Sequence, residues 1–334
     1  MRVLGIETSC DETAAAVLED GRLLSNVVSS QIALHREFNG VVPELAARAH
    51  LQRIYPVIDA ARRQAGGKKI HAVAYTRGPG LLGPLLVGKV AAQAISIMEG
   101  IPLVPVNHLE AHVFAAEFEN RLEFPLIALI VSGGHTDLLL CRAPGRYRVL
   151  GRTRDDAAGE AYDKVARLLG LGYPGGPVVD RAARQGNPDA VSLPRPYMPD
   201  TWDFSFAGLK TAVLYCLRDR GSKKLSADEI ADVCASFQEA VADTLASKAM
   251  AAARRFRVRS VVIGGGVAAN SRLRELSVLR GKEYGLTVAM PSPRLCTDNG
   301  AMIARVGWHR LKAGAVERRT RSDPGLPVRS WTRR

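Results

Sequence analysis

Two histidines one helical turn apart carry the first chemical signal in this chain. In Asn107-His108-Leu109-Glu110-Ala111-His112, positions i and i+4 lie about 40° apart around a helix, so both imidazoles can reach one metal ion. A metalloprotease HExxH helix looks similar, but there the glutamate directly follows the first histidine and serves as general base. Glu110 stands two residues after His108, about 200° around the helix, so the pattern describes a metal site without a peptidase's base. A third ligand has to come from elsewhere, and Asp298 in Cys296-Thr297-Asp298-Asn299-Gly300 is the best candidate. Both features also have plainer readings: two histidines on a helix surface, and an aspartate capping a helix start.

Phosphate and ribose chemistry is suggested by three further groups. Ser132-Gly133-Gly134-His135 is a small polar turn, and Thr8–Glu12 is an acidic one carrying Asp11 and Glu12. Glycines let backbone N–H groups approach an anion with no Cβ in the way, whereas an acidic turn repels phosphate unless a metal or water lies between. Gly-Gly is equally a common hairpin choice. The stretch Ile263-Gly264-Gly265-Gly266-Val267-Ala268-Ala269-Asn270 leads a strand through glycines into a helix and fits GxGxxG/A. The next strand ends Val288-Ala289-Met290-Pro291, without the carboxylate that NAD binding requires about 20 residues on. That excludes NAD and leaves a nucleotide base or ribose passing the triple glycine. Asp163, and Asp180 beyond the turn Tyr173-Pro174-Gly175-Gly176-Pro177, can grip a ribose diol or serve as solvated helix charges.

The elements needed to position these groups read as α/β. Arg2–Glu7 and Thr13–Leu18 are strands flanking the acidic turn. Pro43 opens a helix with a kink expected at Pro56. Strands Ala72–Tyr75 and Leu103–Val106 bracket a helix from about Pro84 to Met98, a βαβ unit with parallel strands. At Phe124 the pattern restarts: Leu126–Val131, the Ser-Gly-Gly-His turn and Thr136–Cys141 repeat the opening hairpin about 123 residues later. Helices fill Ala158 to Arg255, followed by strand Ser260–Ile263, a helix, strand Leu286–Met290 and a last helix from about Asp298. Two similar halves imply an internal duplication with a cleft between them.

Composition sets the frame. With 334 residues, 47% hydrophobic and 24% charged, the chain is too apolar for disorder and too long for one ordinary core. Leu81 to Val106 is the most apolar stretch, and Pro84, Lys89, Glu99, Gly100 and Pro102 interrupt it before the ~20 clean residues of a membrane span. Glu7, Asp11 and Glu12 stand where a signal peptide would be apolar. Five scattered cysteines without a CxxC pair indicate a reducing, cytoplasmic setting. The net charge is +13, of which +7 lies between Arg305 and Arg334, with further clusters at Arg254–Arg259 and Arg62–Lys69. Such clustering points to a polyanion such as RNA, or to solubility and a loose basic tail.

Taken in order, the motifs resemble one family along residues 1 to about 312. Gly5–Thr13, Thr76–Gly80, His108–His112, Val131–His135, Asp155–Lys164, Tyr173–Pro177, Phe204–Thr211, Gly264–Asn270 and Cys296–Gly300 match the bacterial TsaD family of tRNA N6-adenosine threonylcarbamoyltransferases. The resemblance implies an actin/Hsp70-like (ASKHA) architecture of two tandem ribonuclease-H-like lobes with an inter-lobe cleft. The expected division is a lobe at 1–123 with helix 298–312 packing back on it, a lobe at 124–297, and a basic tail at 313–334. It implies a divalent ion, ferrous with zinc as the alternative, held by His108, His112 and Asp298. It also implies donor binding by Val131, Ser132, Gly133, Gly134, His135, Asp163, Gly176, Asp180 and Asn270, with Gly264, Gly265 and Gly266 close to the nucleotide. The implied reaction moves the threonylcarbamoyl group of threonylcarbamoyl-AMP to N6 of adenosine 37 in tRNAs reading A-starting codons, releasing AMP. Asp11 is the candidate proton acceptor, beside Glu12. Implied partners are tRNA, a TsaB-like paralogue and a TsaE-like ATPase, in the cytoplasm and away from membranes. The alternative is an ATP-dependent kinase or nucleotide switch of the same superfamily.

Overall fold

The computed structural model describes residues 1–198, 200–219, 225–315 and 320–332. The chain forms two compact units, one of Met1–Asn120, Ala143–Tyr147 and Thr297–Arg334, the other of Arg121–Arg142 and Arg148–Cys296.

In the first unit, strands β1 (Arg2–Glu7), β2 (Glu12–Glu19), β3 (Arg22–Ser30), β4 (Ala72–Gly78) and β5 (Leu103–Asn107) form a sheet ordered β3-β2-β1-β4-β5. β1 pairs antiparallel with β2 and parallel with β4, and is buried throughout. Its alternating side chains explain this. Leu4 and Ile6 join one core with Ile54, Val57 and Ile58 of α2 (Pro43–Gln64), which a short α1 (Ile32–His35) precedes. The opposite face takes a later helix described below. α3 (Leu82–Glu99) lies between β4 and β5, and α4 (His108–Ala115) follows β5 directly.

In the second unit, β6 (Leu126–Val131), β7 (Thr136–Ala143), β8 (Arg146–Arg152), β9 (Ser260–Gly264) and β10 (Thr287–Ala289) are ordered β8-β7-β6-β9-β10. β6 pairs antiparallel with β7 and parallel with β9. The two sheets therefore share one strand order, and the duplication read from two hairpins extends to whole sheets. Helices α5 (Ala158–Leu168), α6 (Gly175–Ala183), α7 (Ala207–Asp219), α8 (Ala227–Arg255), α9 (Ser271–Glu283) and α10 (Pro293–Cys296) complete this unit. α8 starts at a Ser226/Glu229 capping box and supplies Phe237, Val241 and Leu245 to the core. The last helix, α11 (Gly300–Lys312), belongs to the first unit.

The structure departs from the sequence reading in three places. Strands β3 and β8 were not anticipated, because both carry little apolar alternation and β8 repeats arginine at its exposed positions; edge strands are commonly marked by charge in this way. Pro84 does not interrupt α3. It sits in the first turn, where its missing N–H has no partner to lose, and the 18-residue helix is long and apolar enough on length and composition alone to cross a membrane. α3 nevertheless packs on α2 and β4 and buries Leu85 and Ala92. The segment expected as a basic tail is also tied down where it is described. Tyr75 Oη donates to Thr320 O, Arg77 Nε to Arg321 O, Gly80 N to Pro324 O, and Asn107 Nδ2 to Leu326 O, at 2.9–3.1 Å. Arg318, Arg319, Arg333 and Arg334 of the basic cluster lie outside the described residues.

Candidate functional site

The metal-type group begins with a helix cap. Asn107 ends β5, and its Oδ1 accepts from the N–H groups of Leu109 and Glu110 at 3.0 and 3.1 Å, so α4 starts at His108. His108 and His112 then fall on one face, both buried, with ring centroids 4.6 Å apart in an edge-on arrangement. Their Nε2 atoms are separated by 3.1 Å. Asp298 Oδ1 lies 3.5 Å from His108 Nε2 and 3.2 Å from His112 Nε2. The competing role for Asp298 falls away, because Asn299 caps α11, accepting from Met302 N at 3.1 Å.

Two glycines bring Asp298 to that point. A Cβ on Gly5 would sit 2.4 Å from Ala304 N and Gly300 O, and one on Gly300 would sit 2.5 Å from the backbone of Ala15 and Ala16. Only their absence lets α11 lie directly on β1 and β2.

The charges favour a cation here. Burial opposes an imidazolium at His108, but the carboxylates of Asp298 and Glu7 outweigh it and hold its pKa at about 9. His112 goes the other way: burial, with the neighbouring His108 charge adding to it, lowers its pKa against the pull of Asp298. One ring is thus charged and the other neutral across a 3.1 Å gap. Three donor atoms spaced 3.1–3.5 Å apart match the edge of about 3.3 Å for a tetrahedral ion with bonds of about 2.0–2.1 Å. Two imidazoles and one carboxylate suit ferrous or zinc ions, and the residues fit a divalent cation.

Asp11 and Glu12 stand on the same unit. Burial, Asp11 and Asp298 raise the Glu12 carboxyl well above the ordinary range. It is hydrogen-bonded to Asp11, while Ser30 Oγ donates to its Oε1 at 3.2 Å. Glu110 points away from the histidines. Its carboxylate, 1% exposed, accepts from Arg310 Nη2 at 3.0 Å, Tyr147 Oη at 2.7 Å and Trp331 Nε1 at 2.7 Å, so it serves as a structural anchor.

The remaining predicted residues belong to the second unit: Val131–His135 and Gly264–Asn270 run on from the carboxyl ends of β6 and β9, and Asp163, Gly176 and Asp180 lie on α5 and α6. The turn after Val131 closes through Ser132 N to His135 O (2.8 Å) and His135 N to Ser132 Oγ (3.2 Å). Its glycines differ in role from Gly265. Gly265 has φ +93° and a Cβ there would lie 2.3 Å from Val131 O, so packing demands glycine; Gly133, Gly134, Gly176 and Gly266 face open space. Gly264 pairs with Ile130 inside the sheet. Asp180 and Asn270 come together at the start of α9: Asp180 Oδ1 accepts from Ser271 N and Oγ at 3.0 and 2.6 Å, and Asn270 Oδ1 accepts from Leu273 N at 3.0 Å. Asp163 Oδ1 accepts from Gly175 N at 2.6 Å, fixing the Pro-Gly-Gly-Pro turn. Sequence reasoning passed over Glu7, which is fully buried and touches His108. Its only signal was a lone acid ending an apolar strand.

Comparison with known proteins adds a family. A model of the TsaD family, described as tRNA N6-adenosine threonylcarbamoyltransferase, matches residues 22–305. A protein of that name from Anaeromyxobacter dehalogenans (strain 2CP-C) is 54% identical over 319 residues, covering 94% of this chain and 95% of the relative. One from Endomicrobium trichonymphae is 46% identical over 345 residues, covering 99% of both. Among solved structures, full-length HypF in its phosphate- and nucleotide-bound form superposes with a TM-score of 0.62 at 14% identity, over 94% of this chain and 46% of that one. That last likeness concerns the fold.

Proposed function

The chain belongs to the TsaD family of tRNA N6-adenosine threonylcarbamoyltransferases, and from that premise we propose that it transfers the threonylcarbamoyl group of threonylcarbamoyl-AMP to N6 of adenosine 37 in tRNAs reading A-starting codons. The observation that carries this reading is identity of 54% across 94% of the chain to a transferase of that name. In the reaction a C–N bond forms between N6 and the carbamoyl carbon, the C–O bond to phosphate breaks, and AMP leaves with that electron pair. N6 gives up one proton.

Each group of residues has a part that its chemistry supports. His108, His112 and Asp298 would hold the divalent ion, ferrous with zinc as the alternative, which when bound supplies Lewis-acid polarisation to the acyl donor. Asp11 accepts the N6 proton, and Glu12 hydrogen-bonds to Asp11 and orients it. Gly133 and Gly134, on the turn after β6 where a Cβ would meet nothing, offer backbone N–H groups to phosphate. Val131, Ser132 and His135 shape that turn, while Asp163, Gly176, Asp180 and Asn270 bind ribose and base beside Gly264, Gly265 and Gly266. The partners are tRNA, a TsaB-like paralogue and a TsaE-like ATPase, and the setting is the cytoplasm.

The test is transfer from preformed threonylcarbamoyl-AMP to unmodified tRNA, read by mass spectrometry of nucleosides. Threonylcarbamoyladenosine and AMP should appear in equal amounts. Asp11→Asn should lose about 10²–10⁴ in rate, whereas Glu12→Gln, which can still donate a hydrogen bond to Asp11, should lose less. Phosphorylation of a small alcohol from ATP, with no modified tRNA, would instead support the kinase reading.

A further inference from the structure

We infer that Glu7 is a positioning residue: its carboxylate accepts the Nδ1–H of His108 and aims Nε2 of that ring at the point shared by His112 and Asp298, setting how tightly the group holds a divalent cation. The inference rests on the proposal that these three residues bind such a cation.

Glu7 is the last residue of the central strand β1, paired with Ala14 of β2, and has no exposed surface. Burying a carboxylate there is costly unless several donors meet it. Three do: Ser9 N donates to Oε1, Thr76 Oγ1 to Oε2 at 2.7 Å, and His108 Nδ1 to Oε2 at 3.0 Å. Strands β1 and β4 thus hold the acid rigidly, and the acid in turn holds the ring. A carboxylate behind an imidazole fixes the tautomer with the lone pair on the opposite nitrogen and strengthens it as a ligand.

The two histidines are unequal in this respect. His112 Nδ1 is buried with no hydrogen-bond partner among the described residues, so its ring is placed by packing, including the edge-on contact with His108. His108 has one competitor for Glu7: Ser9 Oγ, at 3.3 Å from Nδ1. The longer distance and the neutral hydroxyl make it the weaker partner.

The experiment uses the full-length chain, stripped by chelator dialysis and titrated with Co²⁺ and Zn²⁺ against a chromophoric chelator. The visible spectrum of the Co²⁺ form is recorded alongside. Glu7→Gln should bind both ions about 10–100-fold more weakly and shift the Co²⁺ bands, while Ser9→Ala should stay within about threefold of the parent. Parent-like affinity and spectrum for a folded Glu7→Gln, or a tenfold loss for Ser9→Ala, would overturn the assignment. If Glu7→Gln does not fold, Thr76→Val takes its place: it removes one donor to Oε2 and should weaken binding by about threefold or more, and unchanged affinity would count against Glu7. Failure of the underlying metal reading looks different: the parent would bind neither ion, or His108→Ala would bind both as tightly as the parent.

Discussion

A carboxylate on each side of His108 keeps that ring charged until another cation replaces its proton. Asp298 and Glu7 together hold its pKa at about 9 against the effect of burial. Below that pH, cation binding must displace a proton from His108, so affinity falls as acidity rises. Between pH 6.5 and 8.5, Zn²⁺ affinity should climb about tenfold per pH unit, flattening as the pH passes the ring's own value. Chelator competition at three pH values checks this, and a flat profile would mean that no proton is exchanged. Much of this chemistry was legible in the residues themselves. The spacing of His108 and His112 is local, so any helix through them must present both rings on one face. Asp298 was legible as the third ligand through the motif resemblance, while on the residues alone the helix-cap reading stayed open, because either Asp298 or its neighbour Asn299 makes a good cap. The glycines close to backbone decided it.

At the level of elements, α4 has eight residues and is too short to persist by itself. It is pinned at its start by Asn107, whose Nδ2 also donates to Leu326 O, and in its first turn by the Glu110 carboxylate, which accepts from Arg310, Tyr147 and Trp331. The C-terminal segment thus reaches α4 twice, through Leu326 and through Trp331. Glu110→Ala would leave the buried Arg310 without its carboxylate and should cost about 3–5 kcal/mol, seen as a lower denaturation midpoint. Glu110→Gln, which still accepts from Tyr147 and Trp331, should cost less. The contact of α11 with the sheet makes a second claim. Gly300→Ala forces a Cβ against the backbone of Ala15 and Ala16, and overpacking of this kind costs about 1–3 kcal/mol. Because Asp298 moves with α11, Zn²⁺ affinity should fall further than stability, which a titration beside a melt would show. Sequence signals found α4 and α11 but could not show that the C-terminal residues brace the first of them. Pairings such as Glu110 with Trp331 span 221 positions and leave no periodic trace.

For the whole molecule, two sheets with one strand order extend the repeat read from two hairpins to both units. α3 keeps Leu82, Leu86, Val90 and Ile97 exposed, with Ile97 at 81%, along a stripe within about 80° of one helix face. A protein partner docking here, such as the TsaB-like paralogue proposed above, would cover this stripe. Ile97→Glu should leave folding within about 0.5 kcal/mol and weaken that association by about tenfold or more, measured by titration calorimetry. Undiminished binding would move the interface elsewhere.

By itself, the order of residues determined the α/β class, the hairpin repeat, the helix that carries both histidines, and the family resemblance. These depend on periodicity and on short motifs, which act over a turn or a strand. Tertiary structure alone decided that Glu7 stands behind one of the histidines, that Glu110 is an anchor, and that the described part of the chain's last segment is packed; it also brought Asp298, which the sequence had offered as third ligand, to the histidines. Each of those depends on groups brought together by burial across tens to hundreds of positions, where close backbone contact at Gly5 and Gly300 permits one arrangement and spacing along the chain records none of it.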